Sequence, residues 1–415
     1  MTAATAALPH LDRSAAWRRV AAAAAIFAVT MGIQQSLGLF AEPIAADTAF
    51  AIAQIGVALG AAQLAWGLAQ LLFGVWCDGA GRSSPALLAG GMLMAAGAAL
   101  APLADSPWVL TFAFAMLGGG AGSFSALAGA LARQSRAENF TLMVALVCVG
   151  GSAGQFALPP YIHAAITAAD WTTGLRMLSA LAVIAVLLAL VFRDAGRRAA
   201  TTHAPAAVGA VTAHSLAGDL ATALRQRDLL LLQAGFFLLG LHVAFLNTHM
   251  PIEAALCGLN DRIASAALLA IGCLNVIAGL LAGWLGRRFR MRSLLAMMHA
   301  SRVPLIALYL LSPPTQWVLY GFSAGLGLMW LATLPPAAGW LRKQFSTRIL
   351  ATLVGLVLFW EQIGAFLGGW LGELAFVHFG HEPGIWYADM ALAALTALAH
   401  LLIRERKPER LVTAA

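Results

Sequence analysis

The feature that most constrains this chain is a series of long apolar runs separated by short polar turns. A helix needs roughly 20 mostly apolar residues to cross about 30 Å of membrane hydrocarbon. Twelve such runs, which we number span 1 to span 12, lie at residues 20–41, 54–76, 85–104, 108–131, 141–164, 173–192, 229–250, 263–285, 293–312, 316–337, 349–371 and 385–403. The series predicts an all-α integral membrane protein with twelve transmembrane helices.

The composition excludes the soluble alternatives. Only 10% of the 415 residues are charged and 61% are hydrophobic, whereas an average soluble domain is about 25% charged. A disordered chain would need low hydrophobicity and high net charge. Because Arg18 and Arg19 lead directly into span 1 without a convincing cleavage site, we do not expect a cleavable signal peptide.

The basic residues predict the orientation of the spans. Of the 25 Lys and Arg residues, 22 lie before span 1 or in a segment that follows an even-numbered span. The exceptions are Arg176, Arg262 and Arg302. Basic residues that flank spans stay on the cytoplasmic side. We therefore expect a multi-pass protein of the inner (plasma) membrane with both termini in the cytoplasm. The net charge of +7 then reflects topology and does not indicate a nucleic-acid surface.

One long polar segment divides the chain into two sets of six spans. We predict a first six-helix bundle at residues 1–192, a cytoplasmic linker at 193–228 and a second six-helix bundle at 229–415. Such a 6+6 plan predicts two related bundles with a binding site between them near the middle of the membrane.

The turn between spans 2 and 3 carries a specific motif. Gly74, Asp78, Gly81 and Arg82 follow the order glycine, three residues, aspartate, two residues, glycine, arginine. The glycines allow a tight turn and close helix approach, and the carboxylate can meet a helix N-terminus or an arginine and so latch the two bundles. At this loop of a 6+6 plan, the motif resembles that of the major facilitator superfamily, and we expect it to act in gating.

Further segments are similar to bacterial monocarboxylate-transporter-like and oxalate–formate-antiporter-like members of that superfamily. They lie at residues 32–40, 150–156, 235–251, 330–333 and 362–368, and the resemblance covers roughly 15–405. It implies secondary transport of small organic anions, with protons or by exchange. The sequence departs from the pattern at Gln34, where relatives often carry Arg. It departs again at Asn275 and Gly279, where animal relatives place Asp and Arg.

Two charged side chains fall near the middle of a span. Glu361 is 12 residues into span 11, about 18 Å along a helix. Ionisable residues at this depth are costly and usually functional, so we predict that Glu361 couples proton movement to transport, although it could instead be a buried structural partner. Arg302 in span 9 could bind a substrate carboxylate, or it could pair structurally with Glu361.

Span 7 contributes histidines to the candidate site. His242 can titrate near neutral pH or donate a hydrogen bond, so we predict a role in substrate binding and proton coupling. Asn247 is a further candidate for substrate binding, and His249 lies nearer the outer mouth. No third ligand has compatible spacing, so we do not expect a metal site.

Amide side chains complete the predicted site. Gln34 and Gln35 in span 1, Gln155 in span 5 and Asn275 in span 8 lie at membrane depth. Each amide offers donors and acceptors suited to a polar ligand, and we predict that these four residues contact the substrate. Hydrogen bonding between helices is the alternative role for each of them.

Together these features predict a transporter and not an enzyme. The favoured function is proton-coupled transport of a small, monocarboxylate-like organic anion by a monomer in the lipid bilayer. The alternative is proton-driven export of a neutral or amphipathic molecule, which the glutamines and the absent span-1 arginine favour. A transport-like receptor is a third possibility, but the loops are short and there is no signalling domain. No nucleotide-binding loop is present, so no cofactor is expected.

Overall fold

The computed structural model describes residues 13–193, 216–256, 261–286, 288–313, 315–329, 331–379 and 383–405. Within these ranges it does not describe the side chains of residues 13, 137–138, 245–256, 261–269, 331, 373, 375–377, 379, 383 and 385. The candidates Asn247 and His249 therefore lie outside the described side chains.

Helices occupy each of the first six predicted spans. Span 1 is helix Arg13–Ser36, continued by the 3-10 helix Leu37–Phe40 and helix Ala41–Asp47; span 2 is Ile52–Ala80, span 3 is Ser84–Leu100, span 4 is Pro107–Gly120 and Phe124–Gln134, span 5 is Ala137–Ala168, and span 6 is Trp171–Ala189. Span 6 begins where the Asp170 side chain accepts a hydrogen bond from the Thr173 N–H. That hydrogen bond holds the pKa of Asp170 below its usual range.

The last six predicted spans are also helical. A short helix, Leu216–Leu224, precedes span 7 at Arg227–Leu256; span 8 is Asp261–Leu285, span 9 is Met291–Ala300 and Arg302–Leu311, span 10 is Gln316–Gly327 and Leu334–Gln344, span 11 is Leu350–Phe379, and span 12 is Pro383–Leu401. The described residues form no strand. Nine of their helical segments are long and apolar enough to cross a membrane, in agreement with the predicted all-α membrane fold.

Spans 4, 9 and 10 are interrupted, which the apolar pattern did not predict. Span 4 breaks after Gly118-Gly119-Gly120, since glycine is costly in a helix. Span 9 breaks at Ser301, one turn before Pro304, and span 10 breaks before Pro335-Pro336. Proline removes the hydrogen bond to the carbonyl four residues earlier. Such breaks are tolerated at membrane depth where protein surrounds them.

Spans pack in a fixed set of pairs. Among the first six, span 1 packs on span 5 and span 2 on span 4; among the last six, the main pairs are spans 7 and 11, 8 and 10, and 9 and 12. Spans 2 and 11 join the two sets, and span 5 packs on spans 8 and 10. Close approach depends on glycine, because a methyl group on Gly154 would lie 1.9 Å from the Ala28 carbonyl oxygen. Small residues serve this purpose in membrane helices.

Among the described residues, the two sets of spans share a core at one end of the bundle. We call this the basic end, because it carries Arg82, Arg133, Arg292, Arg342 and Arg404. There one buried core contains Phe73 and Phe124 of the first set and Phe236 and Leu353 of the last. We call the opposite end the acidic end, because it carries Glu42, Asp105 and Asp170. There the described residues form separate cores in spans 1–6 and in spans 9, 10 and 12. The described structure is therefore closed at the basic end.

The close approach of spans 1 and 5 gives a stability prediction. We expect Gly154→Ala to destabilise the protein, because overpacking of this kind costs about 1–3 kcal/mol. Gly321→Ala is the matched control, since its new methyl group would have no atom within 4 Å. The control should be neutral or stabilising, because alanine favours a helix over glycine by about 1 kcal/mol. The melting temperatures of the two variants can be compared by thermal unfolding in detergent. Equal melting temperatures would contradict the close approach of spans 1 and 5.

Candidate functional site

A cavity lies between the two sets of spans. Its volume is about 40 Å³, and its lining comprises Phe27, Met31, Trp66, Gln70, Phe124, Phe236, Thr333, Leu334, Leu358, Glu361 and Gln362. Spans 1, 2 and 4 supply the first five, and spans 7, 10 and 11 supply the rest. Because both sets contribute, a relative movement of the sets changes the cavity.

Glu361 is the charged residue in this described lining. Its position is fixed by the tight packing of spans 7 and 11, since a methyl group on Gly240 would lie 1.9 Å from the Glu361 carbonyl oxygen. The side chain is partly buried. No ion pair within 4 Å joins Glu361 to Arg302 among the described residues. A carboxyl group that faces a cavity in this way can exchange a proton with the cavity's contents.

A chain of amide hydrogen bonds passes beside Glu361. Gln34 Nε2 donates to Gln63 Oε1 over 3.2 Å, and Gln63 Nε2 donates to Gln362 Oε1. These bonds connect span 1 to span 2 and span 2 to span 11, so they link the two sets of spans. Gln34 thus bonds to another amide, and Gln362, which the sequence analysis did not select as a candidate, lines the cavity.

The remaining amides also bond between helices. Gln155 Nε2 donates to Gln35 Oε1 over 3.1 Å, which joins span 5 to span 1. Gln70 Oε1 accepts from the Ser125 N–H at the break in span 4. Asn275 is buried in span 8. None of Gln35, Gln155 and Asn275 belongs to the described lining, and substrate contact remains a prediction for each of them.

His242 and Arg302 lie inside the last six spans, away from the described lining. His242 Nδ1 bonds to Asp389 Oδ1 of span 12, and Arg302 donates from Nη2 to the Met329 carbonyl oxygen over 3.3 Å. Asp389 was missed in the sequence because it lies close to the start of span 12. The observed helix begins at Pro383, and Asp389 is only 2% exposed. An acidic residue within an apolar run was the available signal.

The predicted gating motif joins the two sets at the basic end. Asp78 Oδ2 accepts hydrogen bonds from the Thr352 N–H and hydroxyl at 2.7 and 2.8 Å, where span 11 begins. Arg133 Nη1 lies 3.4 Å from Asp78 Oδ1 and its Nη2 donates to the Ser83 hydroxyl. The charge of Asp78 is therefore shared between an arginine and a helix N-terminus, which stabilises a buried carboxylate.

The other motif residues have distinct positions. A methyl group on Gly74 would lie 2.4 Å from the Ala351 carbonyl oxygen, so this glycine permits the contact between spans 2 and 11. Gly81 ends span 2 with φ of 65°, a left-handed conformation that favours glycine. Arg82 is exposed. Thr352, Ser83 and Arg133 were not predicted as partners, since sequence spacing does not reveal contacts between distant spans.

The hydrogen bonds of Asp78 give a prediction about closure. We expect Asp78→Ala to raise maleimide labelling of Cys77, a buried neighbour, in a variant whose other cysteines are replaced by serine. Hydrogen bonds to a charged group contribute about 1.5–3 kcal/mol each, so opening should increase roughly tenfold or more.

Two further variants control this measurement. Thr352→Val removes only the hydroxyl donor and should increase labelling less. Asp105→Ala changes an exposed carboxylate at the acidic end and should have no effect. If labelling of Cys77 is the same in Asp78→Ala and Asp105→Ala, the hydrogen bonds do not hold the basic end closed.

Comparisons with known proteins agree with this architecture. The family model described as Major Facilitator Superfamily matches residues 20–369. The Uncharacterized MFS-type transporter YcxA of Bacillus subtilis (strain 168) is 26% identical over 247 residues. The chain spans 57% of the length of that curated relative, and the match covers 57% of this chain.

A solved structure supports the fold over almost the whole chain. The proton:xylose symporter XylE, bound to 6-bromo-6-deoxy-D-glucose, superposes with a TM-score of 0.73. The match covers 96% of this chain and 98% of that one at 13% identity. This likeness concerns the fold alone, and it confirms the predicted twelve-helix architecture.

Proposed function

Because the chain belongs to the major facilitator superfamily of membrane transporters, we propose that it moves a small neutral or amphipathic molecule with coupled protons. The cavity between the two sets of spans is the proposed substrate site, and Glu361 is the proposed proton carrier. The basic end is proposed to face the cytoplasm, as the distribution of Lys and Arg predicts.

The chemistry of the cavity lining is the observation that carries this proposal. Aromatic and aliphatic side chains predominate, and Gln70, Thr333, Glu361 and Gln362 are the polar members. Sites for small molecules commonly combine apolar walls with a few placed polar groups. The described lining contains no cationic side chain to balance a substrate carboxylate. This composition favours an uncharged or amphipathic molecule over an anion.

Proton coupling is proposed to act through the charge of Glu361. When its carboxyl group is ionised, the cavity wall carries one negative charge, and protonation removes it. Proton and substrate drive one another only if both change the balance between the same conformations. The position of Glu361 supports this role, because its span packs against span 2 of the other set.

A small organic anion, as in monocarboxylate-like transport, is the second candidate. One observation favours it, because Arg302 interacts electrostatically with Glu361. The positive charge of Arg302 can thus act on the cavity, although Arg302 does not belong to the described lining. The amide N–H groups of the lining could donate to a carboxylate. Direct pairing with Arg302 would require movement of that side chain, which is 2% exposed.

Transport is proposed to occur by alternating access. The described state is closed at the basic end, where Asp78 bonds to Thr352. Opening that end requires spans 2 and 11 to separate there, which breaks these hydrogen bonds. If the basic end is cytoplasmic, the described state is the one that excludes the cytoplasm. The two sets would rock about the cavity, as in other carriers built from repeats.

A substrate panel distinguishes the two candidates. We expect purified protein in liposomes with a pH gradient to move neutral or amphipathic compounds, because the described lining is largely apolar and has no cation. Radiolabelled short-chain monocarboxylates serve as the comparison group. Gradient-driven uptake confined to the monocarboxylates would overturn the first candidate and support the second.

Replacement of Glu361 tests the coupling role. We expect Glu361→Gln to lose transport driven by the pH gradient but to retain exchange of labelled for unlabelled substrate, because the amide keeps the shape and cannot titrate. Glu42→Gln, which changes an exposed carboxylate near the acidic end, is the matched control and should behave as the native protein. Unchanged gradient dependence in Glu361→Gln would exclude this residue as the proton carrier.

A further inference from the structure

Three glutamines are joined by hydrogen bonds beside the cavity. We call Gln34, Gln63 and Gln362 the amide chain: Gln34 Nε2 donates to Gln63 Oε1 over 3.2 Å, and Gln63 Nε2 donates to Gln362 Oε1. Gln34 and Gln63 belong to the first set of spans, and Gln362 belongs to the last. The second hydrogen bond therefore crosses between the two sets.

The amide chain lies on the acidic side of the cavity. Span 1 runs toward the acidic end, and Gln34 comes three residues after the lining residue Met31. Span 2 runs the opposite way, and Gln63 comes three residues before the lining residue Trp66. In span 11, Gln362 is itself the described lining residue nearest the acidic end. In all three spans, the amide chain thus lies at the limit of the cavity that faces the acidic end.

The contact between spans 2 and 11 ends a short distance beyond the amide chain. A methyl group on Gly67 would lie 2.6 Å from Gln362 Cβ, so the two helices are in close contact beside the chain. Further toward the acidic end, a methyl group on Gly60 would lie 3.6 Å from Phe366, which is an ordinary contact distance. Gly56 follows on the same face of span 2, and a methyl group there would have no atom within 4 Å. The two spans therefore separate beyond Gly60.

The bond between Gln63 and Gln362 is removed from solvent. Gln362 is 6% exposed and Gln63 is partly buried. Amides on neighbouring membrane helices bond in this way and hold the helices together. Such a bond can be permanent inside one rigid body, but spans 2 and 11 belong to sets that move relative to each other in alternating access. Separation of these spans at the level of the cavity breaks the bond.

Hydrogen bonds also join spans 2 and 11 at the basic end, on the other side of the cavity. There Asp78 Oδ2 accepts from the Thr352 N–H and hydroxyl. Asp78 comes 15 residues after Gln63, about 22 Å along span 2, and the lining residues Trp66 and Gln70 lie between them. Hydrogen bonds to a charged group contribute more than a bond between two amides. The amide bond is therefore the easier of the two connections to break.

We propose that the hydrogen bond between Gln63 and Gln362 is a gate on the acidic side of the cavity, which breaks when the cavity opens to that side. This role depends on the proposed alternating access, in which the cavity is the substrate site. Gln34 is a positioning residue, because its donated hydrogen bond leaves the Gln63 N–H₂ group to reach Gln362. The open gate also gives the acidic side access to Glu361, the neighbour of Gln362 in span 11.

Cysteine labelling with a maleimide tests the gate without a substrate. One reporter protein carries Met31→Cys in the cavity lining and the other keeps Cys77 at the basic end, each as its single cysteine, in detergent. We expect Gln63→Leu or Gln362→Leu to raise the labelling rate at Met31→Cys roughly two- to tenfold, the effect of one neutral hydrogen bond. Labelling of Cys77 should not rise, because the hydrogen bonds of Asp78 are intact.

A double variant tests whether the two amides act through their mutual bond. A single leucine leaves the other amide buried without its partner, which favours opening, whereas two apolar side chains in contact restore a matched pair. We therefore expect the combination of Gln63→Leu and Gln362→Leu to label Met31→Cys more slowly than either single variant. Gln362→Asn keeps an amide that is one methylene shorter, so it should also raise labelling, and it replaces Gln362→Leu if that variant does not fold.

Gln233→Leu is the matched control. Gln233 is a buried glutamine of span 7 that does not belong to the described lining, and its replacement should leave both reporters at their native labelling rates. Native labelling of Met31→Cys in the single gate variants would overturn the gate. An equal rise at Cys77 would also overturn it, because the protein would then have loosened as a whole. Additive effects in the double variant would show that the two amides do not act through one bond.

The gate and the proposed function can fail separately. If labelling shows no gate while Glu361→Gln abolishes gradient-driven transport, the gate is wrong and the proton carrier stands. If labelling shows the gate while Glu361→Gln keeps its gradient dependence, the gate stands and the proton carrier is wrong. If neither Gln362→Leu nor Asp78→Ala changes the labelling of its reporter, the gate and the proposed alternating access are both overturned.

Discussion

Close contact between helix backbones is the constraint on which the remaining structure depends. Lipid tails are as apolar as the side chains they meet, so helices gain little by burying leucine against leucine, and they associate through tight packing and a few polar bonds. The glycine contacts reflect this: Gly154 lies against Ala28 and Gly118 against Ala62. The same kind of contact at Gly240 fixes Glu361 at the cavity.

Carboxylates inside the bundle are accommodated in three different ways. Asp78 is neutralised by Arg133 and by the start of span 11, so it holds two helices together. Asp389 bonds to His242 within the last six spans. Glu361 has no ion-pair partner within 4 Å among the described residues and faces the cavity. A carboxyl group without a fixed cation is the one best suited to gain and lose a proton during a transport cycle.

The sequence predicted some of these features and missed others for physical reasons. The apolar runs predicted the helices, because crossing a membrane requires one length and one backbone structure. Spacing along one span could not show that Gln34 bonds to Gln63 or that Gln63 bonds to Gln362, since those contacts join different spans. For the same reason, the sequence could not predict that Thr352 is the partner of Asp78 or that His299 stacks on His400.

The sequence by itself determined the class of the protein, the twelve spans and the importance of any charge left at membrane depth, because each follows from the cost of placing polar groups in hydrocarbon. Only the tertiary structure decided which of those charges meet. It placed Glu361 on the cavity and Arg302 outside the described lining, in the same set of spans as the His242–Asp389 bond and the His299–His400 stack. Those groups come from four spans far apart in the chain, and their proximity depends on how the helices pack.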